Sequence, residues 1–300
     1  MCAVLTAYGL RLDGPVVRGL DSVLLGEKAL GPDAHTVPLV HVRHEATVPS
    51  HDNTSRVDDI SAVFSLPSGV GLRLDRTARE AVYSGPSLDV DTVAHPYLSP
   101  VGAIFGRWLR REAFHAGAFV IAGSAWIVVG GRELGKSSLL ATMAVAGHDV
   151  VADDSVVSDG DVVFAGPRCV DLRDPTPAAG RPLRQVRDGT RWRLALPHGQ
   201  ASCPVAGWLF LRWGDDLSLA RVPASQLLGR LARYRARAHL ASEPSVLLRL
   251  ANRPAWVLTR RRSWDGMAET VDAVMATVAA SAPASLAGAA DDRHVMPARH

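Results

Sequence analysis

Residues Gly130 to Ser138 read G-G-R-E-L-G-K-S-S. They fit the pattern G-x-x-x-x-G-K-[ST], whose chemistry is phosphate binding. In such a loop the unpaired N–H groups of a starting helix form an anion cradle, and the helix dipole adds positive potential. Lys136 then reaches the β- and γ-phosphates, and the Ser137 hydroxyl sits on Mg²⁺. Gly130, Gly131, Arg132, Glu133, Leu134, Gly135, Lys136, Ser137 and Ser138 are therefore the candidate cofactor-binding residues. Lysine is scarce here: Lys28 and Lys136 are the two lysines among 33 Lys+Arg. A second group of chemical interest follows 17 residues beyond Lys136, where Val150-Val151-Ala152 runs into Asp153-Asp154. A carboxylate at a strand end beside a phosphate loop suits a nucleotide-bound Mg²⁺, and a second can take a proton from an attacking hydroxyl.

These residues need elements to hold them. The apolar run Ala125–Val129 predicts a strand feeding the loop, paired in a hairpin with Ala118–Ile121 through a turn at Gly123-Ser124. The helix after the loop is expected from about Lys136 to Ala146, closed by Gly147. Lys136 is expected to be surface-directed, and Glu133 to face solvent. Upstream, Ile104 to Phe114 reads as a short helix. Residues 1 to about 95 are short β-like runs, such as Val4–Tyr8, Val37–Val42, Ala62–Leu66 and Leu72–Leu74, punctuated by Pro and Gly. Downstream, Val156 to Cys169 reads as a hairpin, Pro175 to Pro182 as an irregular surface loop, and Trp208–Arg212 as a buried strand. Arg184 to Arg193 packs four arginines into ten residues, either a solvated basic loop or a partner for an anionic group. Helices are expected over Pro223–Leu240, Ser245–Ala251 and Ser263–Ala279, with a strand at Ala255–Thr259.

Composition narrows the function classes. A net charge of +3 over 300 residues does not call for nucleic acid. Cys2, Cys169 and Cys203 are too few and too widely spaced for a disulfide framework or a zinc site. His35, His41, His44 and His51 fit no metal spacing. The first residues lack a basic and then apolar leader, and the longest apolar stretch, Ala116 to Val129, is too short to span a bilayer. A cytoplasmic protein without a membrane partner is expected.

The order of His115, hairpin, phosphate loop, helix ending at Gly147-His148, and then Val151-Ala152-Asp153-Asp154 resembles the catalytic domain of HPr kinase/phosphorylase. It also resembles the HPr-kinase-like proteins of peptide natural-product clusters, such as lasso-peptide precursor kinases. The resemblance is good from about Phe114 to Asp171, loose to about Ala279, and weak before residue 100. It implies an α/β fold: a P-loop kinase domain of the HPr kinase/PEP carboxykinase type over residues 99–280. A small, mostly β N-terminal region precedes it over 1–98, and a disordered tail follows over 281–300. It implies transfer of the γ-phosphate of ATP, with Mg²⁺, to a serine of a peptide or protein. Lys136 and Ser137 then hold phosphates and metal, Asp153 is the base, Asp154 belongs to the metal environment, and His115 shapes the site. Without the resemblance His115 reads as structural. The sequence departs from the family at Arg132-Glu133, where Ser-Gly is usual, and at Ser138, where Glu is common. A degenerate loop serving as a peptide- or partner-binding scaffold is therefore the alternative. Self-association into a homo-oligomer stays open.

Overall fold

The computed structural model describes residues 4–46, 55–197 and 199–281. His51 and residues 282–300 of the expected tail lie outside them. The fold is mixed α/β, built on three sheets.

The first sheet has eight strands between Leu5 and Ser84. Its alternating residues bury Leu10, Leu12, Val40, Val42, Leu72, Leu74 and Tyr83 in one cluster, the period-2 pattern of a half-buried sheet. The four runs anticipated from sequence lie on its strands Leu5–Ala7, Leu39–Glu45, Ser61–Ser65 and Gly71–Asp75.

The expected helix over Ile104–Phe114 is displaced toward the N-terminus. It spans Leu98–Trp108, and Glu112–Phe114 is a strand. Pro100 is tolerated because its missing N–H falls in the first turn, where no intrahelical acceptor is needed. Arg110 at φ 60 ends the helix and turns the chain into the strand. Leu98, Val101, Ile104, Phe105 and Trp108 all join the cluster of the first sheet.

The second sheet carries the phosphate loop. Its order is Val150–Ala152, Ala116–Ile121, Ser124–Val129, Ser202–Trp213, Val162–Phe164, Val156–Ser158 and Glu112–Phe114, with Ala255–Arg260 and Ser218–Arg221 branching from Ser202–Trp213. Ala116–Ile121 and Ser124–Val129 form the expected antiparallel hairpin; Ala122 (φ 47) and Gly123 (φ 75) supply the two positive-φ turn positions. Ser124–Val129, Ser202–Trp213 and Ala255–Arg260 run parallel. Their carboxyl ends, at Val129, Trp213 and Arg260, therefore open on one edge, where ligands bind in open α/β sheets. The helix Lys136–Val145 buries Leu139, Leu140 and Met143 in a cluster shared with Val271, Val274 and Val278 of the helix Met267–Ala280.

Two expected loops are ordered. Within Pro175–Pro182, Pro177 and Ala178 are buried on a short 3-10 turn, Thr176–Ala178; Ala178 joins the cluster beneath the loop helix. The arginine-rich stretch is an antiparallel pair, Leu183–Val186 with Arg191–Ala195, which completes a third sheet with Cys169–Leu172. Its alternation sends Arg193 inward, so neither a wholly solvated loop nor a free anion partner describes it. Cys169 and Cys203 are buried free thiols.

Candidate functional site

The strand Ser124–Val129 delivers the chain into the loop, and Gly135 caps the helix at φ 78, ψ 30. That left-handed conformation strains any residue with a Cβ. Glu133 also adopts positive φ, at 67, so a glutamate bears the conformation an inner glycine tolerates freely. Its carboxylate is exposed, as expected, and is ion-paired with Arg173 at 2.7 Å, both residues lying at the cleft.

Lys136 departs from the surface-directed expectation. It is 8 % exposed, and its Nζ donates to the Gly130 carbonyl at 2.8 Å and the Gly131 carbonyl at 3.4 Å. An ammonium has three donors, so one stays free for a ligand. Burial lowers its pKa, against the pull of Asp153 and Asp154.

The two aspartates at the end of Val150–Ala152 sit differently. Asp153 is 2 % exposed. Its Oδ1 accepts a hydrogen bond from Ser137 Oγ at 3.0 Å, and its Oδ2 is buried without a partner. Burial pushes its pKa up to about 6. Asp154, at φ 66, turns the other way and lines the cleft. Its Oδ1 lies 3.3 Å from His115 Nδ1 and its Oδ2 3.6 Å from His95 Nε2. The ordinary alternation of a strand would put neighbouring side chains on opposite faces; here the left-handed turn at Asp154 keeps both close to the loop.

His95 comes from the segment that joins the first sheet to the helix Leu98–Trp108. It is buried, and its Nδ1 lies 3.2 Å from Asp171 Oδ2. Asp171 also accepts from Arg193, Nε at 2.6 Å and Nη2 at 2.8 Å. Arg193 Nη1 continues to Asp91 at 2.9 Å, and Asp91 also binds Arg184. Although burial raises the Asp171 pKa, the bonds from Arg193 and His95 hold it far below the usual carboxylate range. Burial alone would lower the His95 pKa; the Asp171 bond and the field of Asp154 bring it above its ordinary value. For the half-exposed His115, burial prevails and the pKa falls.

The cleft has a volume of about 640 Å³, in the range of small-molecule sites. The loop residues Arg132, Glu133, Gly135, Lys136, Ser137 and Ser138 line it, together with His115, Asp154, Trp213 and Arg260. Gly130, Gly131 and Leu134 are the loop's backing, with Leu134 packed on the cluster beneath the helix. All the candidate residues thus meet around one cleft, with Asp153 behind its wall. Sequence reasoning missed His95, Asp171, Trp213 and Arg260, and reached Arg193 only as one of four arginines in its stretch. A lone acid in Cys169-Val170-Asp171-Leu172 was a usable signal, since a charge inside a buried strand demands a partner. His95 carries no comparable signal.

The residues suit a magnesium nucleotide. The orphaned Asp153 Oδ2, the Ser137 hydroxyl and Asp154 are hard oxygen donors, and Mg²⁺ takes one or two carboxylates with phosphate oxygens. Among the described residues no cluster of three or more His, Cys, Asp or Glu could hold a metal, which argues against an all-protein cage. Among them, too, no helix is long and apolar enough to cross a membrane.

The sequence matches no family model and no curated protein. Among solved structures it is similar to the Hpr(Ser) kinase/phosphatase from Coxiella burnetii, at 11% identity and a TM-score of 0.30, over 55% of this chain and 95% of that one. A likeness that distant does not bear on function.

Proposed function

We propose that this protein is an ATP-dependent kinase that phosphorylates a serine hydroxyl of a peptide or protein in the cytoplasm, a natural-product precursor peptide being one such substrate. The observation that carries the reading is the meeting of Lys136, Ser137 and Asp153 at the start of one helix with Asp154 and His115 across the same cleft. The HPr-kinase-like resemblance in the sequence supports it. Phosphoryl transfer asks mainly for positioning and charge, which these groups supply.

The sequence-based division gives the base to Asp153 and the metal to Asp154. The distances favour the exchange. Asp153 is bonded to Ser137 and hidden from the cleft, so with Ser137 it would hold Mg²⁺, which neutralises phosphate charge. Asp154 faces the cleft between two histidines and takes the proton as the serine oxygen bonds to the γ-phosphorus. The bond from γ-phosphorus to the β-bridging oxygen breaks, and ADP leaves. Lys136 balances charge on the phosphates, while His115 and His95 fix the Asp154 carboxylate.

Incubation with γ-labelled ATP, Mg²⁺ and a library of serine-containing peptides tests the reading. Label on serine is expected. Release of phosphate without transfer would point to a hydrolase. Nucleotide binding with neither would favour the scaffold alternative raised by Arg132-Glu133.

A further inference from the structure

Arg260 ends the parallel strand Ala255–Arg260, opposite Trp213 in register, and is 4 % exposed. Among the described residues no carboxylate answers its charge. Its Nε has no partner, and its Nη2 makes one long contact, 3.4 Å to the Gly135 carbonyl. Its guanidinium carbon lies 4.4 Å from the centre of the Trp213 ring, which covers one face and leaves the N–H edge for hydrogen bonding. Burial lowers its pKa to about 10, with no anion opposing the fall.

The contrast with Arg193 is direct. That guanidinium, equally buried, is held by Asp171 and Asp91. A buried charge without a counter-ion is unfavourable, and one that lines a cleft invites its counter-ion from the ligand. Arg260 lines the cleft beside Gly135 and Lys136. Its Nη2 stands 2.4 Å from where a Cβ on Gly135 would lie, so the guanidinium rests against the residue that caps the loop helix. A cation, a lysine and a helix N-terminus thus converge on one volume.

We propose that Arg260 is the second fixed cation of a polyphosphate site, and that the phosphate oxygens of the ligand are its missing counter-ion. The proposal rests on the phosphate-loop reading of Gly130–Ser138. Trp213 is the positioning residue, because its ring fixes the plane of the guanidinium.

The test is calorimetric titration of sodium tripolyphosphate, without metal, into the wild type, Arg260→Met, Arg260→Lys and Lys136→Ala, with thermal melting of each ligand-free protein. Arg260→Met keeps an apolar stem on Trp213 and removes the unpaired charge. We expect it to weaken tripolyphosphate at least tenfold while the ligand-free melting temperature holds or rises. Arg260→Lys should recover part of the affinity. An unchanged affinity in Arg260→Met, with Lys136→Ala impaired, overturns the role of Arg260 and leaves the loop reading standing. If Arg260→Met melts low, Arg260→Lys decides: retained affinity supports the proposal, and loss as complete as in Arg260→Met overturns it. A wild type that binds no tripolyphosphate sinks both readings.

Discussion

On one wall of the cleft, Asp171 is held by Arg193 and His95, Arg193 reaches Asp91, and Asp91 binds Arg184. On the other wall, among the described residues, Arg260 has no acid partner, Asp153 keeps one oxygen unpaired, and Lys136 leans on its own loop's carbonyls. In the first arrangement every charged group is paired without a ligand, although His95 Nε2 has Asp154 only at 3.6 Å and no hydrogen bond. That arrangement ties the segment around His95, which follows the first sheet, to the third sheet, whose strands carry Asp171 and Arg193. The second is incomplete, and buried polar groups left incomplete ask for a ligand. The paired wall should therefore govern stability and the aim of Asp154, and the unpaired wall should govern binding.

The largest effect should come at the junction between the walls. Asp154→Asn should lower serine phosphorylation about 10²–10⁴-fold, the usual range for a general base, with ATP affinity little changed. Equal loss of Mg²⁺-dependent ATP binding would return the metal role to Asp154. On the paired wall, Asp171→Asn leaves Arg193 and His95 without their shared carboxylate. It should destabilise the fold by about 3–5 kcal/mol, measured by urea unfolding; a loss under about 1 kcal/mol would show that the network is not structural.

A smaller effect of opposite sign is expected on the unpaired wall. The folded-state pKa of Asp153 is raised from 3.8 to about 6 by burial, so the folded protein binds the extra proton. That contribution to stability is complete below the ordinary carboxylate pKa and is lost as pH rises through 6. Without Mg²⁺, Asp153→Asn should therefore melt higher than the wild type at about pH 7, a stabilisation of up to ~3 kcal/mol, and approach it near pH 4. A lower melting temperature at pH 7 would contradict the unpaired-wall account. The smallest change is Glu133→Gly. It relieves a left-handed glutamate, worth about 1 kcal/mol, and loses an exposed ion pair worth less. ATP affinity should shift by less than about tenfold. A large gain would mean that the natural loop is impaired.

The loop and its two flanking elements were legible because local chemistry dictates them: an apolar run, glycine where φ is positive, and Lys-Ser opening a helix. The hairpin Ala116–Val129 and the strand into Asp153 were legible for the same reason. The burial of Lys136 was not, because its contacts are to carbonyls within a loop whose path sequence does not specify. The paired wall was illegible as well. His95, Asp171 and Arg193 are 76 and 22 residues apart; the third sheet pairs Asp171 with Arg193, and the segment before Leu98–Trp108 packs His95 against them. The proposed division of labour between Asp153 and Asp154 rests on their different placement, with Asp154 at positive φ, which adjacent identical residues do not announce.

The central claim is that the cleft at the loop helix binds the phosphates of ATP. Calorimetric titration of ATP with Mg²⁺ into the wild type and Lys136→Ala tests it most directly, with melting curves to show that both are folded. Saturable one-to-one binding by the wild type, weakened about a hundredfold or more in Lys136→Ala, is the predicted result. A folded wild type that binds no ATP, or binds it as tightly without Lys136, would contradict the account.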